Sequence, residues 1–256
     1  MKKYFFQLFI GFILLLASPS GFAQKKITVA VAANMRYTIE QLKTIFEKET
    51  GIAITIISGA SGKLTAQIEE GAPFDVFVSA DMNYPEELFK KGFAINKPKC
   101  YAKGILVLWT TKTELNTSNM MQLLKSPEIK KIAIANPKTA PYGAAAEEVL
   151  KYYNIFDVVK SKLVMGESIA QTQQFIETQA AEIGFIAKSL VLAPQLKDKN
   201  RWVAIDSNAY KPIKQGAVIL KYGKDNNYKI SKQFYDFLYS SKIQDILKQS
   251  GYIVNE

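Results

Sequence analysis

Apolar and polar positions along the chain alternate between two periods. Short β-branched runs occur at 26–32, 52–57 and 74–79, and each is followed by a stretch with helical spacing. Arg36 to Thr50 places Ile39, Leu42, Ile45 and Phe46 on one face, and Gly51 stands where a left-handed glycine ends a helix. Leu64 and Ile68 mark a short helix that runs to Gly71, and Pro85 suits the first turn of one that closes at Gly92. Further strands are predicted at 104–109, 131–135, 163–165, 183–186, 202–205 and 217–220, with helices at 120–124, 142–153 and 169–178. One long C-terminal helix carries Phe234, Phe237, Leu238, Ile243, Ile246 and Leu247 inward. Strand and helix alternating through short loops predict α/β architecture, with mixed, mostly parallel sheets flanked by helices. No linker rich in Pro, Gly or Ser divides the chain. Two lobes joined by strand-like crossings near 102–110 and 212–221 account for that. Lobe 1 is then 24–103 with 216–256, and lobe 2 is 104–215. One large doubly wound sheet is the alternative.

The first residues follow a different pattern. Lys2 and Lys3 precede a nearly unbroken apolar run over 4–17, and Ser18-Pro19-Ser20-Gly21-Phe22-Ala23 supplies small residues around an expected cleavage after Ala23. The run is shorter than the ~20 residues of a spanning helix, so it reads as a secretory signal and the protein as exported to the periplasm. Loss of Lys2 and Lys3 with it lowers the net charge from +10 to +8. Lysine is dispersed rather than gathered with aromatics, which argues against a nucleic-acid surface.

Composition narrows the chemistry further. The chain has no His, which excludes Ser-His-Asp and Cys-His nucleophilic sites, His-bearing zinc sites and histidine switches. The single Cys100 cannot close an intramolecular disulfide. Gly62-Lys63 lacks the rest of a phosphate loop, since Ile57 and Leu64 stand where a glycine and a Ser or Thr are needed. Asp75 and Asp81 bracket a strand and read as structural carboxylates. An exported hydrolase on this fold would need a nucleophile paired with Lys, Asp or Glu, and no such pairing stands at the strand ends.

Four strand-to-helix junctions share one character: Ala32-Ala33-Asn34, Gly59-Ala60-Ser61-Gly62, Lys138-Thr139-Ala140-Pro141-Tyr142-Gly143 and Gly166-Glu167-Ser168-Ile169. Helix capping explains any one of them, at ~1 kcal/mol each. Together they lie at the carboxyl ends of parallel strands, where helix starts offer unpaired N–H groups and partial positive charge. Two junctions from each lobe make a cage of donors for a compact anion. A donor-only cage favours a fully deprotonated dianion and disfavours hydrogen phosphate, which needs an acceptor. On this reading Ser61→Ala weakens binding and leaves the unliganded protein nearly unchanged.

The runs Ile27-Thr28-Val29-Ala30-Val31-Ala32-Ala33-Asn34, Glu70-Gly71-Ala72-Pro73-Phe74-Asp75-Val76-Phe77-Val78-Ser79-Ala80-Asp81, Pro141-Tyr142-Gly143 and Gly166-Glu167-Ser168-Ile169-Ala170-Gln171-Thr172 resemble the periplasmic molybdate-binding proteins of ABC importers, the ModA family. The resemblance covers the whole chain after Ala23, in order. It implies a two-lobe type II periplasmic binding-protein fold that closes on a molybdate or tungstate dianion, with no cofactor and no catalysis. It implies an inner-membrane ABC permease as partner and a monomer in solution. Carried over by position, Asn34 and Ser61 give side-chain and backbone donors from one lobe, and Tyr142 and Ile169 give donors from the other, Ile169 through its N–H. Ala33 and Gly62 are secondary backbone donors. Many members have Ser at the position of Asn34 and Tyr at that of Ala187; here the Tyr142 phenol is expected to replace the hydroxyl that Ala187 lacks. Another tetrahedral oxyanion such as sulfate is the alternative ligand.

Overall fold

The computed structural model describes residues 25–116, 119–199 and 201–254, so the export segment expected at 1–23 lies outside the described residues. In chain order the strands are β1 (Lys26–Ala32), β2 (Ala53–Gly59), β3 (Val76–Val78), β4 (Lys99–Gly104), β5 (Leu106–Thr110), β6 (Ile132–Ala135), β7 (Leu163–Gly166), β8 (Ile183–Ala187), β9 (Arg201–Ala204) and β10 (Ile213–Ile219). The helices are α1 (Arg36–Thr50), α2 (Ser61–Glu69), α3 (Asn83–Lys90), α4 (Met120–Leu123), α5 (Pro141–Tyr152), α6 (Phe156–Val159), α7 (Ile169–Glu177), α8 (Lys188–Val191), α9 (Lys221–Leu238) and α10 (Ser241–Gln249).

The strands form two five-stranded sheets rather than one, ordered β2-β1-β3-β10-β4 and β7-β6-β8-β5-β9. Each sheet has one reversed strand in the same place, second from an edge. β10 is antiparallel to β3 and β4, and β5 is antiparallel to β8 and β9; the remaining pairs, β1 with β2 and β3, and β6 with β7 and β8, are parallel. The reversed strands are the ones the chain enters on passing from one sheet to the other. Every residue of β5 and β6 is buried, as expected of strands covered on both faces.

Two elements differ from the sequence expectation. The strand predicted to begin at Gly104 is preceded by β4, and the chain changes sheets at Ile105, so an apparently continuous extended run belongs to both sheets. The long C-terminal helix is two helices, and α9 itself is bent at Asn227 (φ −143°, ψ 33°). There Asn227 Nδ2 donates to Asp75 Oδ1 at 2.9 Å, a tertiary bond that competes with regular helix geometry. Phe46 of α1 packs edge-on against Phe234 and Phe237, with ring centroids 5.3 and 5.2 Å away, and this holds the C-terminal helices to the first sheet.

The short turn Ala33–Met35 leads from β1 into α1, Ala60 leads from β2 into α2, and the loops after β6 and β7 lead into α5 and α7. All four helices therefore start at carboxyl ends of parallel strands, two from each sheet.

Candidate functional site

A small hollow lies where these helix starts meet, lined from the first sheet by Asn34, Ser61 and their neighbours and from the second by Ala140, Pro141, Tyr142 and Ile169. Its volume is about 10 Å³, room for about one water and far below what an organic solute fills. No Lys, Arg, Asp or Glu lines it. Among the described residues no group of three or more Cys, Asp or Glu is placed to hold a metal cation. The hollow can offer a ligand only neutral dipoles.

The capping pattern explains where those dipoles point. The helical turns on the hollow begin at Ala32, Ala60 and Ala140, extended residues whose methyl groups cannot accept a hydrogen bond from the first turn. No side chain caps these starts, although Gly62 N–H in the first turn of α2 is bonded to Thr139 O and Pro141 at the head of α5 has no N–H to give. α7 is different: Ser168 is its N-cap and accepts from Gln171 N–H at 3.3 Å. The capping explanation thus holds for one junction of the four.

Two hydroxyls in the lining are also oriented. Ser61 is the first residue of α2 and not its cap, and its Oγ accepts the Ala80 N–H at 3.0 Å. Tyr142 is 2% exposed, and its hydroxyl accepts from Gln215 Nε2 at 3.0 Å. Each oxygen has a donor on one side, which leaves its own proton for another acceptor. Burial and the neighbouring Tyr252 push the Tyr142 phenol well above the ordinary tyrosine range, against the bond from Gln215 that lowers it. Tyr142 therefore keeps its proton at physiological pH. A Cβ on Gly104 would lie 2.0 Å from the Tyr142 oxygen, so only glycine lets the phenol rest against β4.

Behind the lining sits a polar network that sequence reading missed. Asn34 Nδ2 donates to Gln215 Oε1 at 3.0 Å and to Tyr252 Oη at 3.1 Å. Tyr101 Oη reaches Gln215 Oε1 at 2.7 Å and Ser79 O at 3.1 Å. Ser189 Oγ and Tyr252 Oη both donate to Asn34 O. Asn34, Tyr101, Gln215 and Tyr252 are all buried. Gln215 carried a signal, a polar residue on the face shared by Ile213, Ala217 and Ile219, but its partners lie 73 or more positions away.

Several expectations change in detail. Both Nδ2 hydrogens of Asn34 are engaged inside the network, so its side chain is not a donor to the hollow as it stands; the donor it has left is its backbone N–H. Its Oδ1 is buried without a partner, which makes the lining donor-rich but not donor-only. Ser61→Ala would strip the buried Ala80 N–H of its acceptor, at about 1–3 kcal/mol, so the unliganded protein would not be left unchanged. Ala33 lines the hollow together with Asn34, Ser61, Tyr142 and Ile169. Gly62 and Ala187 do not: Gly62 N–H donates to Thr139 O at 2.9 Å, and Ala187 ends β8 fully buried opposite Leu106.

The Gly62–Thr139 bond is one of several that cross between the sheets. Tyr84 Oη donates to Lys138 O at 3.3 Å, Gln173 Nε2 to Tyr37 Oη at 2.8 Å, and the exposed Lys63 pairs with Glu167 at the cleft mouth. A Cβ on Gly62 would meet Tyr84 Oη at 2.5 Å and Thr139 Cα at 3.1 Å, so the absent side chain permits this approach. Asp75 and Asp81 are structural: Asp75 accepts from Thr28 N–H and Asn227, and Asp81 from Ser79 Oγ and Tyr84 N–H.

Residues 27–253 match the family of bacterial extracellular solute-binding proteins. The molybdate-binding protein ModA of Azotobacter vinelandii is 41% identical over 229 residues, 89% of each chain. ModA of Rhodobacter capsulatus is 36% identical over 245 residues, 95% of this chain and 94% of that one. The solved structure of the Azotobacter vinelandii periplasmic molybdate-binding protein superimposes with a TM-score of 0.84 at 36% identity, covering 90% of this chain and 100% of that one. This chain belongs to the bacterial extracellular solute-binding proteins and, within them, to the ModA family of molybdate-binding proteins.

Proposed function

We propose that this chain captures molybdate, and with it tungstate, in the hollow between its two sheets and passes it to an inner-membrane ABC permease. The observation that carries the reading is the convergence of three uncapped helix starts with two hydroxyls, Ser61 and Tyr142, whose oxygens are already bonded and whose protons are not. Backbone N–H groups of Ala33, Asn34 and Ile169 complete the donor set. About five such bonds to a dianion, at roughly 1.5–3 kcal/mol each, exceed the lower estimates of the association cost, ~4–15 kcal/mol. Binding therefore needs no lysine or arginine in the hollow. The metal arrives already dressed in oxygens, so the protein supplies hydrogen-bond donors rather than metal ligands, and the anion is cargo rather than cofactor.

The lobes are those expected, 24–103 with 216–256 and 104–215, except that Gly104 and residues 213–215 go with the first sheet, and they close about the chain crossings. The chain acts in the periplasm as a monomer after cleavage behind Ala23, and among the described residues no helix is long and apolar enough to cross a membrane. The test is thermal or urea denaturation with molybdate, tungstate, sulfate, phosphate or no addition. An anion at 100 times its dissociation constant stabilises by ~2.7 kcal/mol. Molybdate and tungstate are expected to do so and sulfate and phosphate not. Absence of a molybdate or tungstate shift overturns the proposal, and an equal sulfate shift reassigns the ligand.

A further inference from the structure

Gln215 is fully buried in β10, at the point where that strand's pairing with β4 shifts register. Its amide is hydrogen-bonded to Asn34 and Tyr101 from the first half and to Tyr142 from the second. One end of the amide, Oε1, accepts from Asn34 Nδ2 at 3.0 Å and from Tyr101 Oη at 2.7 Å. The opposite end, Nε2, donates to Tyr142 Oη at 3.0 Å. A hydroxyl that accepts on that side turns its single proton elsewhere, and Tyr142 lines the hollow.

We propose that Gln215 is a positioning residue that fixes the polarity of the Tyr142 hydroxyl, so that this group meets the bound anion as a donor and never as an acceptor. The inference rests on the reading of the hollow as an oxyanion site. It differs from a packing role for Gln215 because it depends on the amide's polarity and not on its shape.

Gln215→Glu separates the two. A carboxylate of nearly the same shape still accepts from Asn34 and Tyr101, but it also takes the Tyr142 proton and turns the phenol's lone pairs toward the ligand. Protonation of that carboxyl restores an O–H donor where Nε2–H stood. Titration calorimetry with molybdate and with tungstate, from pH 6 to pH 8.5, is expected to show nearly constant affinity for the unaltered protein. Gln215→Glu is expected to lose at least about tenfold at pH 8.5, one charged hydrogen bond's worth, and to recover part of it toward pH 6. Gln215→Met, which has neither polarity, is expected to lose affinity with no such recovery.

If Gln215→Glu binds as the unaltered protein does, or loses affinity by the same amount at every pH, the polarity role is overturned. Should Gln215→Glu not fold, Tyr142→Phe made in the unaltered and Gln215→Met backgrounds decides instead. Removal of the hydroxyl is expected to weaken binding several-fold more in the first than in the second, and equal losses overturn the inference. Failure of the unaltered protein to bind either anion overturns the ligand assignment itself, an outcome distinct from both.

Discussion

Two serines stand at equivalent places in the two halves of the molecule and do different work. Ser168 is the N-cap of α7, and its oxygen accepts from Gln171 N–H. Ser61 lies one position further along its helix, behind Ala60, and its oxygen accepts from Ala80 in a neighbouring loop. One residue of displacement relative to the helix start thus decides whether a serine serves its own helix or the hollow. At the cap, φ and ψ are extended and the hydroxyl reaches back to the first turn. At the first helical position it does not, and a tertiary donor holds it instead. The two walls of the hollow differ accordingly. The first sheet contributes a serine hydroxyl, and the second contributes Tyr142, held by Gln215 from the opposite sheet.

That contrast can be broken by substitution. Ser61→Ala is expected to weaken molybdate binding by roughly 10- to 100-fold in calorimetry, the range of one hydrogen bond to a charge, and to lower unliganded stability by about 1–3 kcal/mol in urea melts. A change in stability with unaltered affinity would make Ser61 a structural serine like Ser168. Gly104→Ala places a methyl where the Tyr142 oxygen lies, and displacement of the phenol is expected to cost about tenfold in affinity. Affinity equal to that of the unaltered protein would remove Tyr142 from the donor set. Ser168→Ala is expected to cost about 1 kcal/mol of stability, the worth of a cap, with affinity within about twofold.

Lys63→Ala is a smaller effect. Its pair with Glu167 is exposed at the cleft mouth, so about 0.2–1 kcal/mol is expected, diminishing with added salt, and a salt-independent loss of affinity would place Lys63 nearer the ligand than the structure does. Away from the hollow, the half built on the first sheet also carries titratable groups. Burial raises the carboxyls of Asp75 and Asp81 above their ordinary value of 3.8, against N–H and hydroxyl donors that lower them. A raised carboxyl holds its proton more tightly folded than unfolded. Its contribution to stability is therefore complete below pH 3.8 and lost as pH rises through the raised value. Unliganded stability is expected to decline modestly from about pH 4 toward neutrality, and Asp75→Asn with Asp81→Asn to flatten that slope.

Local pattern in the chain sufficed for most elements and for the four junctions whose residues the fold brings together at the hollow. The β-branched runs, the helical spacing over 36–50 and the four junctions of small residues are short-range features, and hydrophobic burial enforces them wherever helices pack on a sheet. The zero count of His already excluded imidazole chemistry, and the small and hydroxyl-bearing residues of the junctions, with Lys138 their only basic member, pointed to binding through amides and hydroxyls. Which junction residues would cap helices and which would face the hollow was not legible, because Ser61 and Ser168 differ only in where the helix begins relative to each. The break at Asn227 and the change of sheet at Ile105 depend on Asp75 and on strands far along the chain. The same holds for the hydrogen-bond polarity of the site. Asn34 is an amide in any conformation, but only the folded chain brings Gln215 and Tyr252 to its Nδ2, 181 and 218 positions away, and so leaves its oxygen without a partner. Sequence determined which donors and acceptors exist near the site, while tertiary structure decided which satisfy one another and which remain for a ligand, since each proton can be given only once.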